Sequence, residues 1–434
     1  MDRVLELLPE GASADLIEEK AHSCVVRYES NKLTSAGTKE ASGIGLRVIY
    51  NGRMGYSSIN NPQNMDFLVQ SALMCSKLGE EVDFELPGPA VYPKMNIYNP
   101  DVEKLTSREL KGIGDRIVEG VRSEFSDVSV NMRLRSSVCT RRLVNTSGVD
   151  VQDKSTLVDV SVECSTMREE SIIVVWKIPT SRTLEGLEVD RVVEDIKTLL
   201  RWSEREVKLP FNKADVLFSP DMMAYILLQP IALALSGDNL WRGISKFCGK
   251  MDELVFDERI TIDDDPFIDE ANAFPFDGEG VPVKKRSVID RGVVKGYCLD
   301  VYSADKLGMQ TTGNAHREYD SKVSAGAHGL VMSGVEGGGG VLDIISEMKQ
   351  GIVVCSVLGG GQSNTLAGDI SVAISLGFLV ENGEVVGRIK DTMIAGNVFE
   401  LFKERVGVIG ENPEGVFGYR MPPLVLKDIP LASR

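Results

Sequence analysis

The residues that could perform metal or nucleophilic chemistry are few in this chain. The only histidines in the 434 residues are His22, His316 and His328, and none is followed by glutamate, as the helical HExxH and HExxxH signatures of zinc peptidases require. A Cys–His pair of His316 with Cys298 or Cys248 is one alternative, because such pairs form in space rather than in sequence. A lone histidine beside charged residues is more typical of a surface. We therefore expect His316 on the surface, and no metal or other cofactor bound by this chain alone.

The other candidate ligands also lack the spacing of a metal site. The acidic run Asp263-Asp264-Asp265 has neither the central glycine turn nor the distal glutamate of a calcium loop, so we expect a solvated turn. Cysteines are dispersed without a C-x-x-C pair, which favours reduced, mostly buried thiols over disulfides or a zinc knot. The seven are Cys24, Cys75, Cys139, Cys164, Cys248, Cys298 and Cys355.

Composition and charge exclude several classes of function. A formal charge of −16 disfavours a nucleic-acid partner, which needs clustered basic residues. The first ten residues are interrupted by charge, unlike a signal peptide, and no run reaches the length of a membrane span, so we expect a cytoplasmic protein without membrane contact.

The chain is too long for one ordinary core, which predicts two domains, residues 1–205 and residues 206–434.

Strand and helix signals alternate in the first half. Asn51-Gly52 between the strand-like runs 43–50 and 53–56 predicts a hairpin with a type I′ turn. Asn61 followed by Pro62 predicts the start of a helix that ends at Gly79. Its apolar stripe would comprise Met65, Leu68, Ala72 and Cys75.

A second helix follows, and then a run of strands. Thr106 with Glu109 three residues later is a capping-box spacing. Residues 127–177 read as strands, and a further helix is predicted around Val192, Ile196 and Leu199. These signals describe a sheet covered by helices, so we predict an α+β first domain.

The second half is rich in glycine and in short strands. Asn382-Gly383 predicts another hairpin. Long helices are few, which predicts a mainly antiparallel β domain of barrel-like or sandwich-like architecture. The predicted strands are 214–218, 293–301, 352–358, 372–380 and 385–389.

One long helix is predicted in this β-rich half. Residues 221–236, preceded by Ser219-Pro220, are apolar on every side, so the helix must be buried. Pro230 in its interior should kink it, since proline removes a backbone hydrogen bond.

Several segments of the chain resemble sequence landmarks of one peptidase family. They are Phe276-Asp277-Gly278-Glu279-Gly280-Val281, the run 307–315 (LGMQTTGNA), Glu381-Asn382-Gly383-Glu384 and Ile394-Ala395-Gly396-Asn397. With these landmarks the chain resembles the TldD/PmbA family of metallopeptidases, on its PmbA (TldE) side. We interpret the first landmark as a tight turn.

The resemblance also indicates where the family's metal site would fall. On the TldD side an HExxxH helix supplies two zinc-binding histidines and a glutamate base, and the corresponding positions here are Leu228, Gln229 and Leu233. The third zinc ligand of the family is a cysteine, and Ile409 stands at the matching position. Aliphatic side chains cannot coordinate zinc, so the resemblance implies a degenerate site.

What the resemblance implies is a non-catalytic subunit. Such a chain would pair with a zinc-bearing TldD-type subunit and contribute fold, groove and interface to a peptidase for small or unfolded peptides. The alternatives are a homodimeric module that binds a peptide or small ligand without hydrolysis, and an enzyme with relocated chemistry at Cys298 or His316. Candidate groove contacts are Thr312, Asn314, Gly360 and Gly361.

Overall fold

The computed structural model describes residues 4, 6–168, 170–269, 273–360, 363–416 and 418–433. The first half forms one antiparallel sheet of seven strands in the order β3-β2-β1-β4-β5-β6, with β7 beside β5. Buried and more exposed side chains alternate along its long strands, so one face of the sheet packs into a hydrophobic core. Its strands are β1 Ser13–Glu29, β2 Lys32–Tyr50, β3 Arg53–Ile59, β4 Ser129–Asn145, β5 Asp150–Arg168, β6 Ser171–Lys177 and β7 Thr180–Ser181.

This sheet is accompanied by helices α1 Met65–Ser76, α2 Pro100–Glu103, α3 Ser107–Arg122 and α4 Val189–Trp202. Thr106 and Glu109 form the predicted capping box at the start of α3. The prediction for Cys75 was wrong, because α1 buries Ala72 and Ser76 and leaves Cys75 exposed. Gly55 explains this rotation: a Cβ there would lie 2.1 Å from the carbonyl oxygen of Ala72, so the helix meets β3 at that point.

A closed barrel dominates the second half. Strands β16, β9, β23, β19 and β17 follow one another around it, and β17 pairs back onto β16. Closure pairs the backbone groups that would otherwise be left unpaired at the two edges of an open sheet. The strands of this sheet are β8 Glu206–Val207, β9 Lys213–Phe218, β16 Gln350–Leu358, β17 Asp369–Glu381, β18 Glu384–Ile389, β19 Thr392–Asn397, β20 Val406–Ile409 and β23 Leu424–Ser433.

Smaller sheets pack beside the barrel. A six-stranded sheet has the order β12-β11-β10-β15-β22-β21, and β13 pairs with β14. Their bounds are β10 Ile262–Asp264, β11 Arg286–Asp290, β12 Val293–Val294, β13 Ala315–His316, β14 Ser324–Ala325, β15 Leu330–Met332, β21 Glu414–Val416 and β22 Tyr419–Met421. The helices of this half are α5 Pro220–Met222, α6 Leu228–Leu235, α7 Gly237–Trp241, α8 Val301–Leu307, α9 Val341–Glu347 and α10 Val398–Glu404.

The α+β fold class is confirmed, and so are both Asn-Gly hairpins. The backbone φ angles are 53° and 70° at Asn51 and Gly52, and 52° and 85° at Asn382 and Gly383, as a type I′ turn requires. The predicted strand 293–301 was wrong: β12 has two residues, and the chain then enters α8. Asp300 begins that helix by accepting a hydrogen bond from the backbone N–H of Ser303.

The helical run 220–235 crosses the barrel half as three consecutive pieces. After α5, Met223–Leu227 form a π-helical turn, and α6 follows. The wider turn ends three positions before Pro230, whose missing N–H disrupts regular α-helical bonding. The run is mostly buried, as predicted, although the side chain of Tyr225 is exposed.

The two halves share a hydrophobic core. Leu376 and Phe378 of β17 lie in the same buried cluster as the apolar faces of α3 and α4, and the ring of Phe378 meets that of Trp202 edge to face. Among the described residues, no helix is long and apolar enough to cross a membrane.

Candidate functional site

A groove runs along the helical run 220–235. Gln229 and Leu233 line it, together with Tyr225 on the π turn, and Gly360 and Val372 lie on the barrel side. The groove encloses about 350 Å³. Its walls are mostly apolar. The groove can therefore accommodate an extended apolar segment, but it offers little reactive chemistry.

The four positions that the resemblance assigns to the zinc site divide into two pairs. Gln229 and Leu233 line the groove, whereas Leu228 is 2% exposed and Ile409 is 3% exposed, both within the main core cluster. Ile409 lies on β20 and pairs with Leu424.

These residues do not fit a zinc ion. Three of the four side chains are aliphatic, and the fourth is a neutral amide. The carboxylate that lines the groove belongs to Asp369, whose Oδ1 accepts a hydrogen bond from Asn397 Nδ2 at 2.9 Å. In the described part of the chain, no three His, Cys, Asp or Glu side chains form a group able to hold a metal ion.

Thr312 and Asn314 belong to a buried polar network rather than to this groove. Asn314 is 1% exposed and donates from Nδ2 to Asp264 Oδ2 at 2.6 Å. The hydroxyl of Thr312 donates to Asn314 Oδ1 at 2.7 Å. Gly360 lines the groove, so its role as a groove contact stays a prediction, and Gly361 lies outside the described residues.

Asp264 is the centre of that network, so the prediction of a solvated acidic turn was wrong for this residue. Its carboxylate is fully buried and accepts hydrogen bonds from the backbone N–H groups of His328 and Gly329 at 2.8 and 3.1 Å. Asp263 and Asp265 form an ion pair with Lys285 instead. Alternation along β10 turns the middle aspartate inward, because strand side chains point to opposite faces in turn.

His316 is not the surface residue that we expected. Its ring lies 4.9 Å from that of His328, and Nε2 is 3.1 Å from the carbonyl oxygens of both Gly326 and Ala327. Carbonyls only accept hydrogen bonds, so Nε2 carries the proton. Burial and the neighbouring His328 lower the pKa of His316 to about 4. This ring connects β13 to the loop that follows β14, and its contacts are with carbonyl oxygens and the ring of His328.

Cys298 does not support relocated nucleophilic chemistry. The residue is fully buried, and burial raises the pKa of its thiol well above the usual value. A buried protonated thiol is a poor nucleophile.

A buried ion network joins the two halves of the chain. Arg47 on β2 donates from Nε to Asp15 Oδ2 at 2.9 Å and from Nη1 to Glu279 Oε1 at 2.5 Å. Arg317 donates to the other oxygen of Asp15. All four side chains are at most 4% exposed. Burial alone would raise the pKa of Asp15, but the two guanidinium groups outweigh it and lower the pKa.

Glu279 lies at the end of this network beside further carboxylates. Burial, with Asp300 and Asp277 nearby, outweighs the attraction of Arg47 and raises its pKa to about 8. Its Oε2 accepts a hydrogen bond from the backbone N–H of Val301 at 2.7 Å. The raised pKa favours a protonated Glu279 at pH values where an exposed glutamate is ionised.

The landmark 276–280 therefore does more than form a tight turn. Asp277 accepts hydrogen bonds from the backbone N–H groups of Glu279 and Val281, each at 2.9 Å, and from Ala315 at 3.0 Å. Burial raises its pKa despite these donors. The landmark is a buried acidic turn that faces the first sheet.

This network was not predicted from the sequence, although one signal for it was present. Gly43 and Gly45 lie inside β2, and strand glycines often mark the close approach of another backbone. A Cβ at Gly45 would lie 2.1 Å from the carbonyl oxygen of Tyr319, and one at Gly43 would overlap the ring of that residue.

The sequence matches two family descriptions. Residues 212–433 match the PmbA/TldA metallopeptidase C-terminal domain, which is more than half of the 434 residues, and residues 14–75 match the PmbA/TldA metallopeptidase domain 1. The chain belongs to the PmbA/TldD metallopeptidase family. Both halves of the fold carry this relationship.

Individual relatives agree with the family assignment. An uncharacterized protein of Methanocaldococcus jannaschii is 26% identical over 92% of this chain and 91% of its own length. Metalloprotease PmbA of Escherichia coli O157:H7 is 29% identical over 55% of this chain and 49% of its own. TldE from Thermococcus kodakarensis has the same fold: its crystal structure superposes with a TM-score of 0.89 at 22% identity, covering 100% of this chain and 98% of that one.

Proposed function

We propose that this chain is the non-catalytic, PmbA/TldE-type subunit of a two-subunit zinc peptidase that acts on small or unfolded peptides. One observation carries the proposal: Gln229 and Leu233, at positions that the family resemblance assigns to the base and a ligand, line a groove whose one described carboxylate is Asp369, and no three metal-binding side chains come together among the described residues. A zinc hydrolase needs a metal to activate water. Chemistry would therefore come from a TldD-type partner.

The chain would contribute a peptide-binding wall and an interface to such a complex. Leu358, two residues before the groove residue Gly360, is 65% exposed, and Tyr225 is 48% exposed. Large exposed apolar side chains beside a groove are typical of surfaces that meet another chain. In this proposal the partner covers them, and the assembly is a cytoplasmic heterodimer.

A homodimeric peptide-binding module is the second candidate. The groove's apolar lining favours it, since Ile226, Pro230, Leu233, Ile370 and Val372 could hold an extended peptide without cleaving it. In that case a second copy of this chain takes the place of the TldD-type subunit.

Reconstitution with a TldD-type subunit distinguishes the two candidates. We expect a one-to-one complex that cleaves an unstructured peptide in a chelator-sensitive manner, with little cleavage by either subunit alone. Leu233→Arg should occupy the groove and abolish most of the cleavage while leaving the complex intact. Leu254→Arg is the matched control, because Leu254 is 51% exposed and does not line the groove.

The outcomes separate clearly in light scattering and peptidase assays. Zinc-dependent cleavage by this chain alone would contradict the proposal. A stable self-dimer that binds peptide and ignores the TldD-type subunit would favour the second candidate instead.

A further inference from the structure

A second opening lies where β6 and α4 of the first half meet the start of the helical run and β21 of the second half. It consists of two adjoining cavities of about 400 and 540 Å³. We call it the Lys177 cleft. The residues that line both cavities are Lys177, Arg191, Asp195, Asp221, Gly340 and Glu414.

Carboxylates outnumber cations in the Lys177 cleft. Lys177 Nζ lies 2.9 Å from Asp221 Oδ2 but 3.9 Å from Asp195 Oδ2. Arg191 Nη2 lies 2.8 Å from Glu414 Oε1. Lys177 and Arg191 therefore each lie closest to a carboxylate other than Asp195, and neither is within hydrogen-bond distance of Asp195.

The protonation of these groups reflects the same imbalance. Burial raises the pKa of Asp195 and of Glu414, even though Lys177 and Arg191 oppose that effect. Burial would lower the pKa of Lys177, but Asp221 and Asp195 outweigh it and raise the pKa. Lys177 is therefore a charged ammonium. The described carboxylates that line the two cavities still outnumber the cations, which are Lys177, Arg191 and Arg420.

An independent observation at Ser219 points to a ligand. Ser219 is 8% exposed and lines the cleft, and its Oγ has no hydrogen-bond partner among the described residues. The side chain does not cap the helix that begins at Pro220. Leaving a buried hydroxyl unpaired costs free energy, so the position suits a group that a bound molecule supplies.

The far wall of the cleft is apolar. Trp176, Leu199, Trp202 and Leu376 line it. Trp176 is 48% exposed, so an indole face is accessible to a ligand. Aromatic walls bind both apolar groups and cations.

We propose that the Lys177 cleft binds a small molecule that carries an ammonium group on an apolar body. The ammonium pairs with Asp195, the hydroxyl of Ser219 bonds a polar group beside it, and the tryptophans contact the body. A free hydrophobic amine and the N-terminus of a short peptide share this chemistry. This site is distinct from the groove at Gln229, which lies about 15 Å further along the helical run, and the proposal does not depend on the proposed function.

Leucinamide and N-acetylleucinamide test the proposal, because acetylation removes the charge and keeps the apolar body. Two of the three tryptophans line the cleft, so tryptophan emission reports binding, with titration calorimetry as the second measurement. At about pH 6.5, where the α-amino group is charged, leucinamide should bind at least about tenfold more tightly than its acetylated form. Equal binding of the two compounds would overturn the proposal.

Variants of the full chain locate the site. Asp195→Asn should weaken leucinamide binding by about tenfold, and Ser219→Ala by about threefold, as expected for a charged and a neutral hydrogen bond. Neither change removes a group with a close partner, so both proteins should fold, which circular dichroism checks. Glu400→Gln, an exposed carboxylate outside the cleft, should leave binding unchanged. Unchanged affinity in the folded Asp195→Asn protein would also overturn the proposal.

A final comparison identifies the source of the ligand. A leucine-first tripeptide that binds more tightly than leucinamide would identify peptide N-termini, because the added residues find further contacts in the adjoining cavity. Equal affinities would identify free amines.

Discussion

Replacing Glu279 with glutamine should make the stability of the protein less dependent on pH. The carboxyl group is fully buried, accepts hydrogen bonds from Arg47 and from the N–H of Val301, and has a pKa raised to about 8 by burial and its acidic neighbours. Glutamine keeps the shape and one acceptor, but it cannot ionise.

The expected magnitude follows from proton linkage. An unfolded glutamate has a pKa of about 4.3. Between that value and about 8, the folded protein holds a proton at Glu279 that the unfolded chain has released. Its stability therefore falls as pH rises through this window, with a slope that approaches 1.4 kcal/mol per pH unit, about one proton. The variant lacks this term, so it should gain stability relative to the wild-type protein as pH increases.

Urea unfolding of both proteins between about pH 5 and 8 measures the difference directly. Glu119→Gln is the matched control, because it removes a carboxyl group from an exposed position on α3. Its difference from the wild-type protein should stay flat across the range. If the Glu279→Gln difference is equally flat, Glu279 is not protonated in the folded state, and our account of the buried network is wrong.

Three further predictions test the packing of the site. Leu228→Ala should lower the free energy of unfolding by about 2–5 kcal/mol, because the side chain is 2% exposed. Leu233→Ala, at the groove wall, should lower it clearly less. Equal losses of stability in urea titrations would contradict this placement of the two leucines. His316→Ala should lower the free energy of unfolding by about 1–3 kcal/mol. The wild-type protein should also lose stability relative to this variant as pH falls from about 6.5 towards 4, because burial lowers the pKa of His316 in the folded state to about 4. Thermal unfolding at several pH values checks both effects, and a substitution without any effect on stability would support a surface location. Gly45→Ala should destabilise the contact between the halves, since its Cβ would lie 2.1 Å from the carbonyl oxygen of Tyr319; unchanged protease resistance would argue against that contact.

Local signals in the sequence were sufficient for much of the fold. The turn at Asn51-Gly52 and the capping box at Thr106 depend on residues at most three positions apart, and both appear as predicted. The strand predicted over 293–301 failed because the capping preference of Asp300 outweighed a β-like pattern.

The candidate site was harder to predict, because its contacts are long-range. Asp15 and Arg317 are 302 positions apart, and Arg47 and Glu279 are 232 apart. No periodicity links such residues, so the sequence predicted only a tight turn at 276–280 and not its buried ion partners. The same limit applied to His316, whose partners in the loop after β14 become neighbours only when β13 and β14 pair.

Zinc content is the most direct test of the central claim that this chain supplies no metal site of its own. Elemental analysis should be made on the purified chain and on its complex with a TldD-type subunit, each after dialysis against zinc. We expect no tightly held zinc on the chain alone, because Leu228, Leu233 and Ile409 cannot coordinate it, and one zinc ion per complex. One tightly bound zinc ion per copy of this chain, together with chelator-sensitive peptide cleavage, would contradict the account.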